Sequence, residues 1–171
     1  PVVYVATDNQ RIVDFLHSIG ANVVMTSPDC KNGTLRCFEA LSCIEQRTHE
    51  SFDAIINIQG DLPFIQTTMI HELMQCLKND DTTIATLITP IQQSADLFSE
   101  KVAKVVFNTN YQALYFSRSP IPYLMQIKDQ QQWLQHYTFY KHVGIYGFKK
   151  KIIQELQCLE DTKLELAESL E

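Results

Sequence analysis

Positive charge is scarce in this sequence. Fourteen Lys plus Arg stand against twenty Asp plus Glu over 171 residues, a net charge of −6, and the basic residues are scattered except for Lys149, Lys150 and Lys151. Nucleic acids and acidic membranes both demand a positive surface, so neither is an expected partner. Long apolar runs are also missing. No stretch approaches the ~20 residues that span a bilayer, and the N-terminus lacks the basic-then-apolar pattern of a signal peptide. These absences imply a cytoplasmic protein with no membrane insertion. Cysteine is present five times (Cys30, Cys37, Cys43, Cys76, Cys158), an odd number without CxxC spacing. Neither a disulfide framework nor a zinc site is indicated, and the five read as mostly buried or half-buried free thiols. Asn32-Gly33-Thr34 matches a glycosylation sequon, but in a cytoplasmic protein it serves as a turn. There is no GxGxxG, no GxxxxGK[ST] and no GxSxG, so no dinucleotide fold, P-loop ATPase or acyl-transfer nucleophile is signalled.

What is present is a core-forming chain, 45% hydrophobic and 20% charged, sized for one globular domain. Apolar runs rich in β-branched residues alternate with segments of helical period, the pattern of an α/β domain built on a mainly parallel sheet. Strands are predicted at Val2–Ala6, Asn22–Met25, Ala54–Gln59 and Thr83–Thr89. Between them run helices whose inward stripes are Ile12, Val13, Leu16 and Ile19, then Leu35, Phe38, Leu41 and Ile44, then Ile70, Leu73, Met74 and Leu77. The rhythm then changes. Val102–Phe107 and Ala113–Ser117, joined at Asn108-Thr109-Asn110, read as an antiparallel hairpin. A further strand is predicted at His142–Phe148, and short helices at Lys149–Gln157 and Leu164–Glu171. The chain opens almost at a strand and closes inside an acidic helix without a stop signal, so the domain is expected to be incomplete at both ends.

In an open parallel sheet ligands sit beyond the carboxyl ends of the strands. Four such places are polar: Thr7-Asp8, the loop Thr26–Arg36, Gln59-Gly60-Asp61-Leu62, and Ser117-Arg118-Ser119. Asp61, after a buried strand and held between Gly60 and Pro63, suits a Mg²⁺ bridged to phosphates; its ordinary alternative is a helix N-cap. Asp8 reads as a plain cap. Asn32, Gly33, Thr34 and Arg36 set a flexible glycine, a hydroxyl and a guanidinium at a helix N-terminus, which favours an anion or a base edge as readily as it forms a plain cap. Arg118, stiffened by Pro120 and Pro122, offers a planar fork to a carboxylate or phosphate, or to a surface ion pair. His142 opens an apolar strand, with Tyr146 on the same face. Glu165, Glu168 and Glu171 share a helix face whose ordinary role is solvation.

Read in order, these blocks resemble one family, the CMP-Kdo synthetases (3-deoxy-manno-octulosonate cytidylyltransferases). The resemblance rests on Val5-Ala6-Thr7-Asp8, Gly20-Ala21, Val24-Met25-Thr26-Ser27, Gly33-Thr34 with Arg36, and Gln59-Gly60-Asp61 with Pro63. It continues through Ala113–Pro122, His142–Tyr146, and Leu164-Glu165 with Glu168, Leu170 and Glu171. It implies a nucleotidyltransferase fold of Rossmann-like type, a homodimer, and the reaction of CTP with Kdo to give CMP-Kdo and pyrophosphate with Mg²⁺, for lipopolysaccharide biosynthesis. It implies that Asp61 and Arg118 are catalytic and that Asp61 is the metal ligand. Asn32, Gly33, Thr34 and Arg36 would contact CTP; Gln59, Arg118, His142, Tyr146, Glu168 and Glu171 would contact Kdo. Where the family usually carries a His, a Ser and two acidic residues, this chain has Cys30, Asn32, Leu35 and Leu62. The rival readings are an inactive nucleotide-binding or dimerising remnant of the family, and a related enzyme for another sugar acid of the sialic acid type.

Overall fold

A computed structural model describes residues 1–62 and 64–170, so the expectations that fall on Pro63 and Glu171 lie outside the described residues. In chain order the elements are β1 (Val5–Thr7), α1 (Gln10–Ser18), β2 (Val23–Met25), α2 (Gly33–Thr48), β3 (Ala54–Ile58), α3 (Thr67–Leu77), β4 (Ile84–Pro90), α4 (Ser94–Phe98), β5 (Lys104–Phe107), β6 (Ala113–Ser117), α5 (Trp133–His136), β7 (Tyr140–Lys149), α6 (Lys150–Gln157) and α7 (Lys163–Glu168). They form two compact units. One comprises Pro1–Ala85 with Ile145–Leu159, the other Thr86–Gly144 with the residues from Glu160 on. No described helix is long and apolar enough to cross a membrane.

In the first unit β1 and β2 pair in parallel, Val5 against Val23 through Thr7 against Met25. The end of β7 runs antiparallel to β3, with Ala54 opposite Lys149 and Ile58 opposite Ile145. Helix α2 packs on both. Phe38 and Leu41 join Phe148 and Ile153 in one buried cluster, and Ala40 and Ile44 join Val24 in another. Phe38 meets Phe148 edge to face at 5.2 Å, a geometry favoured by the ring quadrupoles. A Cβ at Gly147 in β7 would stand 2.7 Å from Cδ1 of Leu77 on α3, so a larger residue there would push that side chain aside. Gly20, at φ +72°, ends α1 in the left-handed region.

In the second unit β5 and β6 form the expected hairpin, with Lys104 opposite Ser117, and β5 also pairs with the start of β7. Its core is Ile91, Leu97, Trp133 and Phe139, with Trp133 stacked on Phe139 at 5.9 Å and its indole N–H donating to the Ile127 carbonyl at 2.8 Å. The α/β class stands. The antiparallel share is wider than a single hairpin, since β7 opposes both β3 and β5.

One detail departs from expectation. Of the α1 stripe only Val13 is buried; Ile12 and Ile19 are exposed, together with Phe15. The three-residue strands β1 and β2 are too short to cover that face. The cysteines are all free as expected, Cys30, Cys37 and Cys43 half-buried and Cys76 and Cys158 exposed near helix ends.

Candidate active site

The first unit gathers its polar residues where α2 begins. Asn32 caps the helix, its side chain accepting from the Leu35 amide at 2.9 Å. One turn on, Arg36 donates through Nη1 to Thr26 Oγ1 at 2.7 Å and through Nη2 to Asp8 at 2.8 Å. Asp8 is therefore an ion-pair partner, and the cap of α1 is Asn9, which accepts from the Arg11 amide. Glu39 accepts from the Ser27 amide at 2.7 Å and from the Cys30 thiol at 2.9 Å. That exchange holds the Glu39 carboxyl below its ordinary range and raises the Cys30 thiol, so Cys30 is a poor nucleophile. Thr34 accepts a long contact from the buried Asn57 amide at 3.4 Å.

After β3, Gln59 is half-buried, and Gly60 and Asp61 are exposed in a turn closed by the Leu62 amide on the Gln59 carbonyl. Helix α3 starts later, at Thr67 with Gln66 before it, so Asp61 is not its cap. Its carboxylate makes no hydrogen bond or ion pair among the described residues. A single carboxylate exposed in a turn suits Mg²⁺, which binds through one or two carboxylates and otherwise takes water and substrate phosphates. Among the described residues no group of three metal-ligating side chains exists, so a closed protein cage is not the arrangement on offer. Tyr146, on β7 in the same unit, stacks on Phe148 at 5.8 Å and packs against the Phe38 cluster.

The second unit gathers Arg118, Glu168 and His142. Glu168 accepts from Tyr115 OH at 2.8 Å, Ser117 Oγ at 2.6 Å and the Arg118 amide at 2.9 Å. These donors hold its carboxyl below the ordinary range, Ser117 contributing most, and the same contact raises the Tyr115 phenol. The Arg118 guanidinium bonds to three carbonyls: Nε to Glu168 at 2.5 Å, Nη1 to Glu100 at 2.7 Å and Nη2 to Ser169 at 2.8 Å. Among the described residues it forms no ion pair. Helix α7 owes its start to a reciprocal cap between Thr162 and Glu165, so neither Glu165 nor Glu168 is a merely solvated acid. A cleft of about 200 Å³ lies between β6 and α7, walled by Leu114, Phe116, Leu164 and Leu170. His142 sits edge-on to Phe116 at 5.2 Å and is 2.8 Å from Thr86 Oγ1. Burial pushes its ring down to about 4, so it is neutral at pH 7.

Sequence reasoning gave no individual role to Thr26, Glu39, Tyr115, Thr86 or Lys104. Of these only Lys104 carried a signal, a lone charge inside the apolar run Val102–Phe107.

A mixed α/β fold that sets polar residues beyond its strand ends is the architecture expected of a nucleotidyltransferase. The family model described as cytidylyltransferase matches residues 2–171, and the chain belongs to that family. It is 44% identical over 171 residues to the 3-deoxy-manno-octulosonate cytidylyltransferase of Bacteroides thetaiotaomicron, covering 98% of this chain and 66% of that protein. It is 39% identical over 171 residues to the 8-amino-3,8-dideoxy-manno-octulosonate cytidylyltransferase of a Shewanella species, covering 99% of this chain and 66% of the relative. A solved structure of CMP:2-keto-3-deoxy-manno-octonic acid synthetase complexed with CTP superposes with a TM-score of 0.86 at 34% identity, covering 99% of this chain and 65% of that one. The chain thus spans just under two thirds of the length of these relatives.

Proposed function

We propose that this protein is a cytidylyltransferase that activates the sugar acid Kdo, joining it to CMP from CTP with release of pyrophosphate, in the cytoplasm and for lipopolysaccharide biosynthesis. The observation that carries the reading is family membership over residues 2–171, with relatives at 44% identity named for that reaction. The anomeric hydroxyl oxygen bonds to the α-phosphorus in line as the bond from that phosphorus to the bridging oxygen breaks; the hydroxyl loses its proton and pyrophosphate leaves with the electron pair. The protein's part is positioning and charge neutralisation.

Each arm of the molecule has a role in this reading. Asn32, Gly33, Thr34 and Arg36 receive the nucleotide, where the 16-residue helix α2 turns its positive end outward. Arg36 is already in a polar bay, and its Asp8 partner is exposed enough to be exchanged for a ligand. Asp61 holds Mg²⁺, which when bound neutralises phosphate charge. Gln59, Arg118, His142, Tyr146, Glu168 and Glu171 serve the sugar acid, with Glu168 acting through Ser117 and Arg118 whose positions it fixes. A homodimer is part of the proposal, and the exposed Tyr111 and Leu114 on the β5–β6 hairpin supply apolar surface for it.

The test is pyrophosphate release by the purified protein with CTP and Mg²⁺ against Kdo, its 8-amino analogue and sialic acid. Turnover with Kdo above the other two is expected. Turnover with the 8-amino sugar alone would move the substrate to that of the Shewanella relative, and nucleotide binding without turnover on any sugar would establish the inactive remnant. Asp61→Asn should abolish turnover with the fold intact; near-normal turnover would remove Asp61 from the metal.

A further inference from the structure

Lys104 is the one charged side chain among the buried described residues, at 0% exposure. It lies in β5 directly opposite Ser117, between apolar neighbours. An ammonium removed from water costs several kcal/mol unless its donors are matched, and an apolar side chain would fill such a site more favourably. Lys104 is fully matched, but by no carboxylate among the described residues. Its three N–H groups donate to the carbonyls of Ser99 at 2.8 Å, Val102 at 2.6 Å and Arg118. Burial and the nearby Arg118 hold the ammonium below its ordinary range, and Glu168 opposes them, which places all three charges in one field.

The two ends of that clamp bear on one side chain. Arg118 gives its carbonyl to Lys104, and the turn Ser99–Val102, tied by the same ammonium, carries the Glu100 carbonyl that receives Arg118 Nη1. We propose that Lys104 is a positioning residue for the Arg118 guanidinium, fixing both the backbone from which it springs and the turn on which it rests. The charge is retained in the core because only a three-donor group at a single point can gather three converging carbonyls. This inference rests on the proposal that Arg118 serves the sugar acid.

Lys104→Met, measured in the same purified protein, should raise KM for the sugar acid about tenfold, the effect of losing one charge-assisted hydrogen bond, with KM for CTP within about twofold. Thermal unfolding should stay cooperative. A sugar-acid KM unchanged in the folded variant, or a parallel rise in both KM values, overturns the inference. If Lys104→Met does not fold, Lys104→Arg takes its place: a planar guanidinium keeps the charge but not the geometry, and the same selective rise is expected. If the unaltered protein turns over no sugar acid, the functional reading fails and Lys104 is judged on amide exchange alone. The Arg118 and Leu170 amides should then exchange about tenfold faster in the variant, and unchanged exchange rejects the positioning role.

Discussion

Arg36 and Arg118 are both guanidiniums set just beyond a strand or at a helix start, and the two are held in opposite ways. Arg36 is gripped chiefly by side chains, the Asp8 carboxylate and the Thr26 hydroxyl, with one longer contact to the Ser27 carbonyl at 3.3 Å, and its ion pair is part-exposed, 21% and 38% for the two side chains. Arg118 is gripped by backbone, with three carbonyls from Glu100, Glu168 and Ser169. A side-chain partner can rotate away when a better anion arrives; a carbonyl in a turn or a helix end cannot. Arg36 is thus an exchangeable contact and Arg118 a fixed one. A site that must admit and release a triphosphate gains from the first, and a site that must orient one hydroxyl gains from the second.

Replacing each arginine is the sharpest way to break this contrast. Arg118→Ala orphans three carbonyls and frees the end of α7, and should lower unfolding stability by about 3 kcal/mol, with Arg118→Lys recovering little because one ammonium cannot span three separated acceptors. Arg36→Ala should cost about 1 kcal/mol or less. Denaturant unfolding of the three variants measures this directly, and equal losses at both positions would end the distinction.

Acid should act on the Arg118 unit in two windows. The unfolded His142 ring takes up a proton from pH 6.5 downward and the folded ring only near 4, so the unfolded state binds more protons between these values and stability falls as pH falls through them. Discounted for partial exposure, the loss is about 2 kcal/mol. Glu168 adds a second loss at lower pH. Its folded carboxyl lies below 4.5, so its contribution is present above that value and disappears as pH falls through the folded one. Thermal unfolding across pH 7 to 3 should show His142→Asn flattening the upper window and Glu168→Gln the lower. A single window unaffected by His142→Asn would mean that the ring is charged in the fold.

The two arms were not equally legible in the sequence. Periodicity located α1, α2, α3 and α6 but gave no signal for the short α4 and α5, and the buried stripe Phe38, Leu41, Ile44 on α2 followed from spacing alone, because one face of a 16-residue helix must be covered. The α1 stripe failed on Ile12 and Ile19 since spacing identifies a face and says nothing about the width of what covers it. Asn32, Arg36, Asp61 and Arg118 stood out as polar residues after apolar runs. What each touches was hidden, because Asp8 reaches Arg36 across 28 positions and Glu168 reaches Ser117 across 51. Lys104 shows the limit best: its partners are backbone carbonyls, and a carbonyl leaves no trace in residue identity.

The smallest expected effect separates two meanings of an exchangeable partner. Asp8→Asn removes the charge from Arg36 but keeps an oxygen in place to accept from Nη2, so stability should change by less than about 1 kcal/mol, as for other part-exposed pairs. If Asp8 only parks the guanidinium until an anion displaces it, the variant leaves Arg36 readier to receive phosphate, and titration with CTP should give a Kd equal to or a few-fold below that of the unaltered protein. If Asp8 instead aims Arg36 at the ligand, loss of the charge lets the side chain swing, and CTP should bind several-fold more weakly at the same small stability cost. The second result would make Arg36 as fixed as Arg118, held by a carboxylate where the other is held by carbonyls.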